Sequence, residues 1–485
     1  MTRFFPLLLR YSFFVFVCTC LLVASGIWAW NNLPIDAYPD VTNIQITILT
    51  KAHGLSVSDV EQQISFPIEQ KMSGMKGVQQ VRSLSKPGLS VVAIVFVDGT
   101  NAYFARQLVF ERLQETKEEL PPGIEPEMAP LSTGLGEIFQ YTLESEKHSA
   151  MELRTIQDWV VSPRLRPVAG VSEVNSFGGF VKQYHVLVDP ERLQKLSLTL
   201  QDVVEAVETN NANASGKYLY RGWEQMNITS VGLFCNPEDI GKIVLKTSDG
   251  IPIRVSDVAE VAIGHETRQG AVTRDGKGEA VAGMVIMLRD SNSKTVVDAV
   301  KRAVPDIQKG LPDGVKMNVF YDRTYLINAC IKTVTNATGE GGICVIFVLF
   351  LFLAELRTAL LVVLSLPLTF FFTFIVMHFF SITSNLMSLG GLAFSVGMVV
   401  DATVVVLENA RRHLAHAKPG VTLRELIARS VEEVARPVAF SVFIIVLVLV
   451  PLFSLEGLEA KMFIPLALTM LISLLTSLFV ALLIM

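Results

Sequence analysis

The sequence predicts an α+β membrane protein: a transmembrane helix bundle carrying a large extramembrane block of ferredoxin-like βαβ subdomains. Three observations predict it. First, charge is missing locally. No Lys, Arg, Asp, Glu or His occurs from Tyr11 to Ile35, from Pro437 to Leu455 or from Phe463 to Met485, and His378 is the only one between Thr358 and Val400. A hydrocarbon core of roughly 30 Å asks for about 20 such apolar residues per helix. Second, the stretch from Asn31 to Thr338 has ordinary soluble composition and holds most of the charge. Third, a strand, helix, strand, strand, helix rhythm runs through that stretch twice.

The 485 residues are 51% hydrophobic and only 18% charged, whereas an average soluble protein carries about 25% charge. A soluble globular protein is excluded. Lys+Arg 41 against Asp+Glu 46 gives a net charge of -5, which leaves no basic surplus for nucleic acid. Five cysteines (Cys18, Cys20, Cys235, Cys330 and Cys344) are too few and too scattered for a disulfide scaffold.

The first element, within residues 1–33, is an apolar helix over Tyr11–Leu33 with Arg3 and Arg10 before it and Trp28 and Trp30 near its far end. It is longer than the roughly 7–15 residues of a signal h-region. Arg inside and Trp at the outer interface describe an anchored helix. The first subdomain, 34–134, follows. Val41–Thr50 alternates as a strand, and Leu55–Met75 reads as a helix with Ser56 and Asp59 spaced as a capping box. Val78–Ser83 and Leu89–Val97 are strands around Lys86-Pro87-Gly88, and helix Ala102–Glu119 is stopped by Pro121-Pro122-Gly123.

The second subdomain, 135–330, starts the same way. Phe139–Glu144 is a strand, Ala150–Arg166 a helix and Val171–Phe177 a strand, with Lys182–Val188 another strand after the hairpin Gly178-Gly179. Leu198–Asn210 is a helix with Thr199 and Asp202 spaced as a cap. The Gly-rich stretch 212–261 reads as an insert. Strand Ala280–Leu288, helix Thr295–Gln308 and strand Lys316–Phe320 then resume the rhythm.

Residues 331–485 return to the membrane, with spans near 338–353, 358–380, 386–408, 437–455 and 463–485. With the first, that makes six. The connector 411–436 carries Arg411, Arg412, Lys418, Arg424, Arg429 and Arg436 against three Glu, which places it in the cytoplasm. Within it, Thr422–Val434 reads as an amphipathic surface helix with Leu423, Leu426, Ile427 and Val431 on its apolar edge, and Pro437 marks the start of the next span.

The chemistry concentrates in Asn385–Arg412. Asp401 lies deep in an otherwise uncharged helix and Glu408 follows seven residues later, two turns or about 10.5 Å along the same face. A carboxylate inside a membrane costs at least a few kcal/mol and faces a bundle interior, shares a proton or meets a cation. Asp401 therefore reads as a proton or cation relay, with structural hydrogen bonding as its alternative. Glu408 reads either as a second relay acid or as a partner of Arg411 and Arg412. Gly390, Gly391 and Gly397, with Ser388 and Ser395, permit close helix packing. No Walker motif, HExxH or GxSxG between strand and helix occurs, so the chain is read as a secondary transporter and not as an enzyme, and no cofactor is implied. Met284 with Met287 and Met72 with Met75 read as core residues. His148, His185 and His265 have no zinc-site spacing.

The chain resembles the N-terminal half of an RND (resistance-nodulation-division) pump of the heavy-metal efflux branch. The residues that carry the resemblance are Leu33-Pro34-Ile35-Asp36-Ala37-Tyr38-Pro39-Asp40, Val171–Gly179, Val255–Val258, Tyr321-Asp322-Arg323, Ser365-Leu366-Pro367 and Met387–Asn409. The resemblance implies an RND-type bundle with periplasmic porter subdomains, half of the usual tandem repeat, in the cell inner membrane. The insert 212–261 is then like a docking subdomain. The partners implied are a periplasmic adaptor (membrane fusion) protein, an outer-membrane channel, protons, a metal cation as substrate and two further protomers of a homotrimer. Asp401 matches the family's relay carboxylate and Glu408 the accompanying acid.

The resemblance also bears on the metal. Where the divalent-cation subgroup has a second Asp six residues before the relay Asp, this sequence has Ser395. The surroundings look more like the copper(I)/silver branch, in which methionines pass the metal along. Met387 matches a channel methionine of that branch. Met398 lies one position before the usual one, which is Val399 here. The family's three-methionine site and its basic relay partner belong to the second half, expected from a separate polypeptide or a longer chain. An exporter of organic solutes or of divalent cations, a membrane assembly factor and a non-functional fragment are the alternatives. The six-span topology has a direct test. A reporter fused after Asn210 should lie outside the cytoplasm and one fused near Lys418 inside it; both on one side would contradict it.

Overall fold

Two four-stranded antiparallel sheets with the same strand order fill the block that follows the first membrane helix in this computed structural model. The structure describes residues 11–248, 250–268, 270–353, 356–416 and 422–484, apart from several helical side chains between 334 and 359. In the first sheet, β1 (Ile44–Lys51), β2 (Val78–Lys86), β3 (Leu89–Phe96) and β4 (Pro126–Met128) lie in the order β2-β3-β1-β4. That order is the ferredoxin-like one the sequence predicts. Period-two alternation puts Ile46 and Ile48 of β1 beside Ile94 and Val92 of β3 on one face. Against them pack Val60, Ile64, Ile68 and Met72 from one helix and Ala105, Val109 and Leu113 from Ala102–Lys117. Each large aliphatic group so buried contributes about 1.5–3 kcal/mol. Met72 is core, as expected.

The second sheet holds β5 (Glu137–Glu144), β6 (Val171–Phe177), β13 (Val281–Met287) and β14 (Lys316–Asp322) in the order β14-β5-β13-β6, the same arrangement again. The strand beside β6 is thus β13. Lys182–Val188, expected to follow β6 across Gly178-Gly179, is a strand, β7, but it pairs with β12 (Ala259–His265) outside the sheet. Burial explains the choice. The slot between β5 and β6 is enclosed, and Val-Ala-Gly-Met-Val-Ile-Met fills it where Lys-Gln-Tyr-His would not. The turn that leads out of β6 needs glycine: Gly178 has φ +71°, and a Cβ there would stand 2.2 Å from the Ala280 carbonyl oxygen.

The first helices of the two units share a defect. Val57–Val60 passes through a π turn, Glu61–Ser65, before Phe66–Met72, and Ala150–Ile156 passes through Gln157–Val161 before Ser162–Leu165. Pro67 and Pro163 follow these turns. A proline has no N–H and its ring crowds the carbonyl four residues back. The wider turn relieves both, so that Phe66 N–H bonds Glu61 O and Ser162 N–H bonds Gln157 O. The caps at Ser56/Asp59 and Thr199/Asp202 form as their spacing predicts. Backbone and hydroxyl donors of Thr199 hold the Asp202 carboxyl below its ordinary range.

Between β7 and β12 a separate core gathers Leu193, Leu198, Val203, Ile240, Val255 and Val258. From it projects a hairpin of β8 (Ala214–Arg221) and β9 (Glu224–Ser230), exposed at every residue, and a second antiparallel pair follows, β10 (Val244–Ser248) with β11 (Ile251–Arg254).

Six long helices follow the expected order: α1 (Ser12–Asn32), α2 (Arg323–Leu353), α3 (Leu356–Phe379), α4 (Leu386–Ala415), α5 (Leu423–Leu449) and α6 (Gly457–Leu483). Among the described residues, all but α2 are long and apolar enough to cross a membrane. The expected span 338–353 lies in α2, where several side chains are outside the described residues, as are Arg3, Arg10, Glu355 and Lys418. The stretch Thr422–Val434 is not a separate surface helix. It forms the start of α5, which runs on through Pro437. Of the expected apolar edge, Val431 packs, together with Val434, against Ala402 and Val406 of α4 and Ala481 of α6, whereas Leu423 stays exposed.

Gly391 sets the approach of α4 to α6. A Cβ there would meet Thr469 Oγ1 at 2.3 Å and the Leu466 carbonyl oxygen at 2.6 Å, whereas Gly390 and Gly397 have nothing within 4 Å. Among the described residues, Gly391 is the one of the three expected glycines that meets a neighbouring helix closely. Gly391→Ala should destabilise the bundle by about 1–3 kcal/mol, read as a lower melting temperature in detergent, while Gly390→Ala should leave it unchanged.

Candidate functional site

Helix α4 starts from a buried cap. Ser388 N–H donates to Asn385 Oδ1 at 2.9 Å and Asn385 N–H to Ser388 Oγ at 2.8 Å. Burial of both residues keeps water from competing for these bonds, so the outer end of α4 is held firmly. From there the helix has two faces. Leu389, Leu392, Ser395, Val396, Val399, Ala402, Thr403 and Val406 are buried against α3, α5 and α6. Phe394, Gly397, Asp401 and Val405, spaced three and four apart, form the uncovered face.

Asp401 therefore points away from the packed side of its own chain. Among the described residues it has no hydrogen-bond or ion-pair partner. Glu408 lies two turns further along, and its Oε2 is 3.6 Å from Arg411 Nε, an ion pair near the C-terminal end of α4. The structure thus supplies the Arg411 partner that the sequence offered as one alternative. The same end is tied to α5. Asn409 Nδ2 donates to the Ser430 carbonyl at 2.8 Å, and His413 Nε2 lies 2.6 Å from Glu433 Oε2.

The two methionines are not brought together. Met387 is half-buried in the first turn of α4, and Met398 packs against Val442, Leu449 and Leu474 on the α5–α6 side. Eleven residues of helix, about 16 Å, separate them. Ser395 is buried and its hydroxyl donates to Leu392 O at 2.7 Å, so it is turned away from the Asp401 face. Met287 is core; His185 and His265 sit on the paired strands β7 and β12, and His148 Nδ1 lies 3.7 Å from Glu152 Oε2. Among the described residues no group of three or more His, Cys, Asp or Glu could hold a metal ion.

Sequence reasoning missed the fastening of the membrane helices to the subdomains. Lys461, at the outer end of α6, reaches Asp98 Oδ1 at 2.8 Å, the Thr42 carbonyl at 3.2 Å and Asn43 Oδ1 at 3.1 Å. Lys301 pairs with Asp322 where β14 runs into α2. Burial raises the Asp322 carboxyl, but bonds from Lys301 and Thr324 outweigh it and hold the group below its ordinary range. A lone lysine between apolar spans was the available signal, and it does not name its partner.

Comparison with known proteins places this geometry. The AcrB/AcrD/AcrF family model matches residues 4–485. Protein HelA of Legionella pneumophila is 47% identical over 98% of this chain and 46% of its own. The cobalt-zinc-cadmium resistance protein CzcA of Cupriavidus metallidurans is 45% identical over 94% of this chain and 44% of its own. The cation efflux system protein CusA of Escherichia coli is 37% identical over 94% and 45%. The crystal structure of a heavy metal efflux pump matches with a TM-score of 0.89 and 35% identity, covering 99% of this chain and 48% of that one. The chain spans about half the length of the curated relatives it matches.

Proposed function

We propose, since the chain belongs to the AcrB/AcrD/AcrF family, that it is the N-terminal half of an inner-membrane pump that exports heavy-metal cations and is driven by protons. The observation that carries this reading is Asp401, a carboxylate with no partner among the described residues, on the uncovered face of a helix otherwise packed into a bundle. Ionised, it needs a cation from whatever covers that face; protonated, it can rest against an apolar surface. Proton binding thus changes which packing of α4 is favoured. Gly397, one turn away with open space beside it, lets the covering helix come close. Because α4 and α6 meet through Gly391, they shift together.

The exposed hairpin β8–β9, with Trp223 fully exposed at its turn, supports docking of the periplasmic block to further protomers, an adaptor protein and an outer-membrane channel. For the cargo, Ser395 in place of a carboxylate and the thioether of Met387 favour Cu(I) and Ag(I), which soft sulfur ligands suit. Met398 is the weaker candidate because it is packed among apolar side chains. A second reading, divalent cations, is favoured by the higher identity to the cobalt-zinc-cadmium resistance protein, 45% against 37% for the cation efflux protein of Escherichia coli.

Two measurements test the proposal. In vesicles holding the assembled pump under an imposed pH gradient, Asp401→Asn should reduce metal export to background at a normal membrane level. Glu408→Gln should act more mildly because Arg411 already neutralises that acid. Unchanged export in Asp401→Asn would reject the relay role. For the cargo, a pump-deleted host expressing the complete pump should tolerate Cu(I) and Ag(I) better than Zn(II), Co(II) or Cd(II), and Met387→Ile should weaken that tolerance. Protection confined to the divalent ions would select the second reading.

A further inference from the structure

Two of the short motifs quoted above, Pro34-Ile35-Asp36-Ala37 and Tyr321-Asp322-Arg323, have no part in proton or metal chemistry, and the fold brings them into contact. Arg323 Nη2 lies 2.9 Å from Asp36 Oδ1, with the Arg323 side chain 5% exposed and that of Asp36 21%. The second carboxylate oxygen of Asp36 accepts from Ser293 Oγ at 2.6 Å. Arg323 Nη1 also donates to the Leu135 carbonyl. Arg323, Ser293 and Leu135 all belong to the second βαβ unit or to its junction with α2. A half-buried pair satisfied on both sides holds one geometry, and removing one partner strands the other's charge.

The backbone of the same segment grips the turn that leads into the Asp401 helix. Asp36 N–H donates to Ser384 O at 3.0 Å, Ser384 N–H to Pro34 O at 2.8 Å and Leu386 N–H to Ala37 O at 3.1 Å. Asp36 therefore holds the outer end of α4 through its main chain and the second subdomain through its side chain. A cavity of about 390 Å³ borders this joint, lined in part by Asp36, Asn292, Arg323 and Thr383. The joint has room to change its arrangement.

We propose that Asp36 is a positioning residue for transport: it passes a displacement of the Asp401 helix to the second subdomain through Arg323 and Ser293. This rests on the proton-driven export reading. The mechanical link is the side chain. The main-chain bonds to Ser384 survive when it is changed, so α4 would still respond to protons while the subdomain no longer follows. Loss of the link differs from loss of folding in one observable, the number of protons moved per cargo ion.

The test uses the complete pump in proteoliposomes with an imposed pH gradient, with Ag(I) and Zn(II) offered separately and a pH dye recording proton flux. Asp36→Asn should lower cargo flux about tenfold, leave the KM for the metal within about twofold and raise the protons moved per ion. Ser293→Ala, which keeps the ion pair, should move the ratio the same way by a smaller factor, and Asp36→Glu should restore part of the flux. Wild-type flux and ratio in Asp36→Asn would overturn the proposal. So would a fall of both fluxes in proportion, which marks a merely structural role. Asp401→Asn run alongside should abolish both fluxes; if it left both intact, the relay reading would fail and this proposal with it.

Discussion

An ionised carboxylate cannot rest against lipid unless something compensates it, and Asp401 has no compensating group among the described residues of its own chain. That constraint organises the membrane half of the structure. Other hydroxyls near mid-helix depth find partners: the Ser395 hydroxyl bonds the Leu392 carbonyl, and Thr373 and Thr476 bond one another at 2.9 Å between α3 and α6, while the buried Thr403 hydroxyl has none among the described residues. Among the described residues of α4, Asp401 faces outward, on a strip that also exposes Phe394, Gly397 and Val405.

Because α4 is capped by buried Asn385 and Ser388 and locked to α6 at Gly391, it is a stiff element. Under the proposed relay, a change in charge at its centre would move the helix as a unit, and the ends of the α4–α6 pair are where it meets the subdomains. Lys461 ties α6 to the first subdomain, and the 34–37 segment ties the start of α4 to the second. The two subdomains repeat one design down to the π turn ahead of a proline, yet they are held to the membrane by different chemistry. A lysine among carbonyl and carboxyl oxygens holds one, and a shielded aspartate–arginine pair holds the other.

Much of this was legible in the sequence. Strand alternation in Val41–Thr50, the capping spacing of Ser56 with Asp59 and the turn glycines located the first subdomain nearly residue by residue. Local periodicity also announced the strand Lys182–Val188, but not its partner. Pairing is settled by which segment best fills an enclosed slot, and Val281–Met287 lies about a hundred residues away in sequence. The amphipathic pattern of Thr422–Val434 was likewise correctly read as apolar on one edge, yet the same pattern serves lipid or protein equally well.

The sequence by itself determined that the chain spans a membrane, that its polar block is a doubled ferredoxin-like unit, and that Asp401 is the residue whose place in an apolar helix needs explaining. Each follows from local quantities: missing charge, period two or 3.6, and the cost of a carboxylate in hydrocarbon. Only the tertiary structure decided which face of α4 Asp401 occupies, which glycine sets the approach of α6, that Met387 and Met398 stand apart, and that Asp36 meets Arg323. Those depend on contacts between segments as distant as residues 36 and 323. No local pattern encodes such contacts, because they arise only when separately stable elements are packed together.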